Sequence, residues 1–339
     1  MHWILWALSL AIINVPILTL LADRILAVPT QKVIRNVWYP AGVVFAIVLW
    51  VARRSDQALL ELFLWGLIGG FLATVGLDIV RLFGHHVLKA FPADMPRIFG
   101  LLALGLGPQL QENMIAEMVG RLATADPEAR RRMLAERLVA MARLPDPIRA
   151  SVARAMRKGL GNLPEEKRLA LVETQMALLA ELPSEVRRPV MQAMDHVMTD
   201  RAGPAYAQPR GMPKIPMHLA RELLDRAIPK TAAEAGVPMW YVLLVGYTWH
   251  LLNGLGFGVA YTLLFGPGAW WLAFAWGVFI WAGMMVAMPV MMPAIQFPMP
   301  GFLVVPFVAH IVMAVPIGYY ALRASEAAAA ASLLGFLFR

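Results

Sequence analysis

Long apolar runs near both ends of the chain predict an all-α, polytopic membrane protein. A helix that crosses a bilayer needs about 20 predominantly apolar residues. Three runs before residue 107 and three after residue 238 approach or reach this length, which predicts three spans at each end. The predicted spans are Trp3–Leu21, Val37–Val51, Leu59–Phe83, Met239–Phe265, Ala269–Met288 and Phe302–Tyr320. A shorter apolar run, Ile98–Leu106, is predicted to lie at the interface or to re-enter the membrane.

The middle of the chain has a different pattern, because charged residues interrupt its apolar positions. Residues 108–235 carry 36 of the 52 charged side chains. The whole chain has a mean hydropathy of +0.61 and only 15% charged residues, whereas about a quarter of the residues in a soluble protein are charged. The sequence therefore predicts a soluble helical domain inserted between two membrane bundles.

Four similar segments recur in this insert at a step of 19 residues and predict a helical repeat. Each segment begins with proline and acidic residues, which suit the first turn of a helix. Apolar positions eight, nine and sixteen residues into each segment share one helical face. Two interpretations remain open: a small α-solenoid or antiparallel bundle that presents a face to a partner, and a self-packed bundle that only supports the membrane part. The repeated arginines, which are the candidate partner-binding residues, are Arg130, Arg149, Arg168 and Arg187.

Proline and glycine mark the end of the insert. The segment 202–216 is typical of a linker, and Met217–Ala227 is amphipathic, which predicts a helix lying at the membrane interface. The predicted domains are a membrane bundle over 1–107, the soluble helical domain over 108–201, the linker and interfacial helix over 202–237, a second membrane bundle over 238–324, and a short tail over 325–339.

Two of the predicted spans carry a histidine inside the membrane, where polar groups are costly and often functional. His250 and His310 each head a stripe of small residues, and Asn253 and Gly254 lie beside the first. The two spans run in the same direction, and a rise of 1.5 Å per residue places both imidazoles at nearly one depth. One interpretation is a cofactor site for haem or another tetrapyrrole, bound by the two histidines and bordered by Asn253 and Gly254. The other is close helix packing, with the histidines hydrogen-bonded across the interface.

Further candidates for metal or ion chemistry lie elsewhere in the apolar runs. His85 and His86 would complete a metal site with His250 and His310 if the chain beyond them folded inward; otherwise they are interfacial histidines. Asp78 and Arg81 are three residues apart, which predicts an intramembrane ion pair, with a proton or ion relay as the alternative. Methionines 284, 288 and 291 share a helical face and would suit Cu(I), or would simply fill irregular packing.

Several classes of protein find no support in the sequence. The chain has no cysteine, which excludes disulfides, thiolate metal sites and Fe–S clusters. It has no P-loop, nucleophile elbow or HExxH motif, so hydrolase, ATPase and kinase activities are not predicted. The insert has a net charge of only +4 and almost no aromatic residues, so nucleic acid is not a predicted partner.

The leading functional hypothesis is a membrane-embedded accessory or scaffold subunit, because the repeat is set between two three-span bundles. The repeat would dock a membrane-protein or cytoplasmic partner, while the spans pack in membrane lipid within a larger assembly. The alternatives are a haem- or metal-binding redox protein ligated by His250 and His310, and a transporter or channel with Asp78, Asn253 and Gln296 along its path. Basic residues in short loops predict that the repeat is cytoplasmic, in a cell membrane that would be the inner one in a bacterium.

Overall fold

A computed structural model describes residues 2–25, 28–199, 213–292, 295–297 and 301–334, and this part of the chain is nearly all helical. The first helices are α1 (His2–Ile13), α2 (Val15–Ile25), α3 (Thr30–Val33), α4 (Tyr39–Ser55), α5 (Gln57–His86) and α6 (Met95–Ala103). The central helices are α7 (Gly107–Thr124), α8 (Pro127–Ala142), α9 (Asp146–Gly161), α10 (Glu165–Glu181), α11 (Ser184–Met198) and α12 (Met217–Glu234). The last are α13 (Met239–Phe265), α14 (Trp270–Met291), α15 (Gly301–Ala321) and α16 (Glu326–Ala331). Two short strands, β1 (Ile215–Pro216) and β2 (Ile295–Gln296), pair in parallel.

Five helical segments of the described chain are long and apolar enough to cross a membrane. A π-helical turn at Ile34–Trp38 joins α3 to α4, so that these elements form one continuous segment. Each of the last five predicted spans overlaps one of the five segments. They are Thr30–Ser55, Gln57–His86, Met239–Phe265, Trp270–Pro289 and Gly301–Ala321.

The first predicted span, Trp3–Leu21, is divided in the structure and is not among these five segments. The chain breaks at Asn14, between α1 and α2. Pro16 has no N–H to continue a helix from α1, but it is tolerated in the first turn of α2. The Asn14 side chain donates to the carbonyl oxygen of Leu10 at 2.7 Å. With 12 residues, α1 is too short to cross a bilayer by itself.

The chain forms two compact units, and we call the first the apolar unit: Met1–Leu104, Trp240–Met291 and Pro298–Arg339. Its central helix is α5, which begins where Asp56 accepts a hydrogen bond from the backbone N–H of Leu59 at 3.0 Å. Helix α15 packs along α5, and α4 and α16 also contact it. Helix α14 packs on α15 in turn. The interior of this bundle is where the polar side chains of the candidate site meet.

Glycines bring α13 into close contact with α5 and α6. A Cβ on Gly258 would lie 2.3 Å from the carbonyl oxygen of Gly66 in α5. A Cβ on Gly246 would lie 1.7 Å from the carbonyl oxygen of Pro96 in α6. Real Cβ atoms do not approach other atoms this closely, so only glycine permits these helix separations. The stripe of small residues in α13 therefore serves helix packing, and it holds the polar side chains of α5, α6 and α13 near one another.

The second unit, which we call the charged unit, contains Gly105–Met239 and Met292–Phe297. Four of its helices, α8 to α11, begin at residues 127, 146, 165 and 184, which is a constant step of 19. Asp126 caps α8 by accepting from the backbone N–H of Ala129 at 2.9 Å. These helices share an apolar core with residues of α7. Its fully buried members include Leu122, Leu134, Leu138, Met141, Val152, Leu171, Leu179 and Val190.

Glu234 connects three helices of the charged unit. Its Oε2 accepts from Lys158 Nζ at 2.8 Å, from Asn113 Nδ2 at 3.0 Å and from Gln109 Nε2 at 3.2 Å. The predicted interfacial helix, Met217–Ala227, forms the first part of α12, which packs on α7 and buries an apolar face. Most of the predicted linker over 202–216 lies outside the described residues.

Candidate functional site

A cavity of about 300 Å³ lies among α5, α6, α13, α14 and α15 of the apolar unit. We call it the histidine cavity, because one histidine from α13 and one from α15 border it. Its polar lining residues are Thr74, Arg81, His250, Asn253 and His310. Its apolar lining includes Leu77, Phe91, Phe99, Phe257, Ile280, Met284, Met288 and Met313. With Gly254 also in the lining, the structure places all four residues predicted to bind a cofactor around this one cavity.

His310 is held by its own helix. Its Nδ1 lies 2.7 Å from the carbonyl oxygen of Pro306, one turn earlier in α15. Because a carbonyl oxygen only accepts, Nδ1 carries the hydrogen, and Nε2 of the neutral ring carries a lone pair. The residue is 5% exposed, and Nε2 has no hydrogen-bond partner among the described residues. His310 therefore offers the cavity a buried hydrogen-bond acceptor.

His250 faces a carboxylate across the interface between α13 and α5. Its Nε2 lies 3.0 Å from Oδ1 of Asp78, which is an ion-pair distance, although the ring N–H is not aligned for a good hydrogen bond. Arg81 Nε donates to the same carboxylate oxygen at 2.8 Å. Asp78 is thus shared between the guanidinium and the imidazole. Asp78 and Arg81, three residues apart, form an ion pair across one turn of α5. His250 brings a residue of α13 to the same carboxylate.

Arg81 is buried between two carboxylates. Its Nη1 donates to Asp94, and its Nη2 donates to the hydroxyl of Tyr247 at 3.3 Å. The side chains of Arg81 and Asp94 are each 6% exposed, whereas Arg97, 3.7 Å from the other oxygen of Asp94, is 37% exposed. Asp94 occupies the N-cap position of α6 but makes no cap hydrogen bond with its side chain. Its carboxylate instead joins α6 to the charge network on α5 and α13.

Asn253 and Gly254 have different roles beside the cavity. Asn253 is 8% exposed, and its Oδ1 has no hydrogen-bond partner among the described residues. A side-chain amide both donates and accepts, so Asn253 offers the cavity a second unsatisfied polar group. Gly254 supports close packing, because a Cβ there would lie 1.7 Å from Oγ1 of Thr74. That hydroxyl is already engaged, since it donates to the carbonyl oxygen of Gly70 at 2.7 Å.

The histidine pair at the end of α5 does not border the histidine cavity. His85 is buried and His86 is exposed, and their ring centroids lie 4.7 Å apart in an edge-to-face arrangement. The structure therefore does not bring His85 and His86 together with His250 and His310 around one site. No cluster of three or more His, Asp or Glu side chains within the described ranges could hold a metal ion.

Methionines form part of the cavity wall. Met284 and Met288 of α14 line it together with Met313 of α15. The side chain of Met291 and the whole of Met299 lie outside what the structure describes. Thioether side chains are flexible and polarisable, so this wall can adapt to ligands of different shapes.

The four candidate partner-binding arginines do not form one exposed row. Arg168 and Arg187 are exposed, and Arg130 is half-buried. Arg149 is only 8% exposed, and its Nη2 donates to the carbonyl oxygen of Leu144 at 2.6 Å. Arg149 therefore stabilises the turn between α8 and α9, which leaves Arg168 and Arg187 as the more accessible pair.

The roles of Asp94, Tyr247 and Met313 were not predicted from the sequence. Tyr247 lies three residues before His250 on the same helical face, and this spacing could have identified it as a neighbour of the site. Asp94 lies in an irregular proline-containing connection, whose path no periodicity predicts. Gln296, grouped with Asp78 and Asn253 in the transporter hypothesis, belongs to the charged unit. Comparison of the chain with protein-family models, curated proteins and solved structures gave no match.

Proposed function

We propose that the chain is a multi-pass membrane protein that binds a small, largely apolar molecule in the histidine cavity. The observation that carries the proposal is the position of two buried polar atoms between apolar walls: Oδ1 of Asn253 and Nε2 of His310 have no hydrogen-bond partner among the described residues. Ligand pockets are typically concave and mostly apolar, with a few polar groups that orient the ligand. Since buried polar groups are normally hydrogen-bonded, a ligand that satisfies these two is energetically favoured.

The size of the cavity favours a ligand smaller than haem. A volume of about 300 Å³ is at the lower end of the range of about 300–1,000 Å³ for ligand pockets. A tetrapyrrole has four linked rings with their substituents and requires a larger slot. In addition, Nε2 of His250 already faces Asp78, which makes that nitrogen a poor axial ligand. A compact organic molecule therefore fits the site better than haem or another tetrapyrrole.

The route into the cavity supports a lipid-soluble ligand. Phe279 lines the cavity and is 66% exposed, and Gly283, one turn further along α14, also lines it and is exposed. The cavity therefore reaches the outer surface of α14. If α14 spans a membrane, this opening faces hydrocarbon, from which an apolar molecule can enter without crossing water.

The test is to obstruct the opening of the cavity at Gly283. A Cβ at Gly283 would meet no atom within 4 Å, so Gly283→Leu is expected to fold while its side chain narrows the opening. Gly42→Leu is the matched control, because Gly42 is also free of neighbours within 4 Å but does not line the cavity. Native mass spectrometry of protein purified in mild detergent should detect a bound small molecule on the wild-type chain and on Gly42→Leu, but not on Gly283→Leu. Equal adducts on both variants, or none on the wild type, would contradict the proposal.

A second candidate function is partner docking by the charged unit, as expected of an accessory or scaffold subunit. We propose that α8 to α11 are a helical repeat on the cytoplasmic side and that α10 and α11 bind an amphipathic segment of another protein. Four apolar side chains on these helices are exposed by 42–71%, and the two on each helix are seven residues apart, on one face. They are Leu169, Met176, Met191 and Met198. Met-rich surfaces suit adaptable partner contacts, and Arg168 and Arg187 lie nearby in the sequence.

Purification from native membranes tests the docking proposal. The double variant Met176→Lys and Met191→Lys should lose any protein that co-purifies stoichiometrically with the wild type, because it places charges on the proposed contact face. Glu128→Lys, an exposed change on α8, is the control and should keep the companion. A wild-type chain that purifies alone from mild detergent would argue against docking.

A further inference from the structure

The hydrogen-bonding character of the histidine cavity points to the chemical class of its ligand. This inference rests on the proposed ligand-binding function and specifies it. The tautomer of His310 is set by the Pro306 carbonyl, so the neutral ring presents Nε2 as an acceptor. Asn253 adds an amide oxygen without a partner among the described residues. Both groups can therefore receive a hydrogen bond, and a ligand that brings a donor is favoured over one that brings only acceptors.

Of the other polar lining groups, Thr74 and Arg81 are already hydrogen-bonded, and Nε2 of His250 faces Asp78 at 3.0 Å without an aligned hydrogen bond. Thr74 donates to the backbone, and Arg81 contacts Asp78, Asp94 and Tyr247 through its three nitrogens. Because Arg81 is already paired with Asp78 and Asp94, an anionic head group would lose its hydration without gaining an unpaired cation. A cationic head group would lose its hydration in a largely apolar space, while Asp78 is already satisfied by Arg81 and His250. The ligand is therefore expected to be neutral.

The apolar lining favours an aromatic ring. Phe91, Phe99 and Phe257 border the cavity, and aromatic rings gain additional stability from edge-to-face or offset contacts with one another. We infer that the histidine cavity binds a neutral, lipid-soluble phenol, whose hydroxyl donates to Nε2 of His310 and whose ring packs among these phenylalanines. The same chemistry belongs to a free phenol and to the head group of a lipid quinol.

A matched pair of probes tests the inference on the full-length protein in detergent. 4-Propylphenol carries the hydroxyl donor, and 4-propylanisole has a similar shape but cannot donate. Isothermal titration calorimetry measures both affinities. The wild type should bind the phenol roughly 3- to 10-fold more tightly than the anisole, as expected for one additional hydrogen bond.

Variants assign this preference to the proposed acceptor. His310→Phe keeps an aromatic ring but removes Nε2, so it should bind both probes with equal affinity. His86→Phe, an exposed change outside the cavity, should keep the wild-type preference. If His310→Phe does not fold, Asn253→Ala provides a second test: a phenol has one O–H hydrogen, which Nε2 of His310 receives, so this variant should keep the preference for the phenol, and its loss would overturn the assignment of His310 as the acceptor. A melting temperature for each variant establishes that it is folded.

The outcomes separate the inference from the proposed function. If the wild type binds the phenol and the anisole with equal affinity and Gly283→Leu binds neither, the phenol assignment is overturned and the proposed ligand binding is retained. Binding of neither probe, together with no native adduct, would overturn both. A phenol preference that persists in folded His310→Phe would also overturn the inference. Where the preference is lost in that variant, tighter binding of decylbenzoquinol than of 4-decylphenol, which has an alkyl chain of the same length, identifies a lipid quinol as the source, and the reverse ranking identifies a free phenol.

Discussion

At the residue scale, the candidate site depends on charges that are buried but mutually compensated. Arg81 and Asp94 have side chains that are each 6% exposed, and Asp78 shares the same guanidinium. An isolated buried charge is costly, whereas a paired and hydrogen-bonded charge is tolerated. The network thus fixes the border of the histidine cavity because each of its members requires the others. The Asp78–Arg81 contact could be predicted from sequence, since both residues lie on one helix. The Asp94 contact depends on how a loop folds back and could not.

Removal of one carboxylate tests this dependence. Asp94→Asn should destabilise the apolar unit by about 3 kcal/mol, because it leaves the buried Arg81 with one carboxylate fewer. The control is Arg97→Gln, since Arg97 is 37% exposed and a partly exposed pair contributes about 1 kcal/mol or less. Thermal unfolding in detergent, followed by circular dichroism, should show a clearly lower melting temperature for Asp94→Asn than for Arg97→Gln. Similar melting temperatures would indicate that the network contributes little.

Glu234 gives a pH-dependent prediction for the charged unit. Burial alone would raise its pKa, but hydrogen bonds from Lys158, Asn113 and Gln109 and the charge of Lys158 lower the pKa to about 2. A carboxylate with a depressed folded-state pKa stabilises the fold above its unfolded pKa of about 4.5, and this contribution is lost as the pH falls towards 2. Glu234→Gln should therefore cost roughly 1 kcal/mol at pH 7, allowing for its partial exposure.

The difference in free energy of unfolding between Glu234→Gln and the wild type should become smaller as the pH falls below about 4. Unfolding of the two chains at pH 7 and at pH 3 measures this change. Glu181→Gln is the control, because its side chain is 60% exposed, and it should differ little from the wild type at either pH. If Glu234→Gln lowers the free energy of unfolding equally at both pH values, the effect is due to packing rather than to charge.

At the element scale, the contact of α13 with α5 and α6 determines where the site lies. Glycines at 246, 254 and 258 remove the side chains that would separate these helices. The stripe was visible in the sequence, but its partner helices were not, because spacing within one helix does not identify the surface that it meets. The division of the first predicted span at Asn14 was also not predicted. Mean hydropathy averages over the whole apolar run, whereas the break in the helix depends on two residues, Asn14 and Pro16.

Gly258→Ala tests the close contact of α13 with α5. The new Cβ would lie 2.3 Å from the carbonyl oxygen of Gly66, so the helices must separate, at a cost of about 1–3 kcal/mol. Gly42→Ala is the matched control, because its Cβ would meet nothing within 4 Å. Alanine is also the better helix former, so this control should be neutral or slightly stabilising. A Gly258→Ala melting temperature as high as that of the control would show that α13 is not closely packed there.

At the scale of the whole molecule, the distribution of charge along the chain follows its division into two units. Residues 108–235 hold most of the charged side chains, and the charged unit is formed chiefly by residues 105–239. This boundary could be predicted because each charged side chain favours water whatever its neighbours are. The preference of a segment for water is therefore the sum over its residues and can be read from the sequence alone. The pairing of β1 with β2, which brings residues 292–297 into the charged unit, depends on a contact distant in sequence and had no local signal.

The side of the membrane on which the charged unit lies can also be tested. Basic residues in the short loops predict a cytoplasmic charged unit, with Arg53 on the opposite side. The chain has no cysteine, so a single introduced thiol reports its own position without background labelling. Arg53 and Arg168 are both exposed, and Arg53→Cys should react with a membrane-impermeant maleimide in intact cells. Arg168→Cys should react only after permeabilisation, because the hydrocarbon layer would lie between it and the reagent. Labelling of both in intact cells, or the opposite order, would contradict a cytoplasmic location for the charged unit.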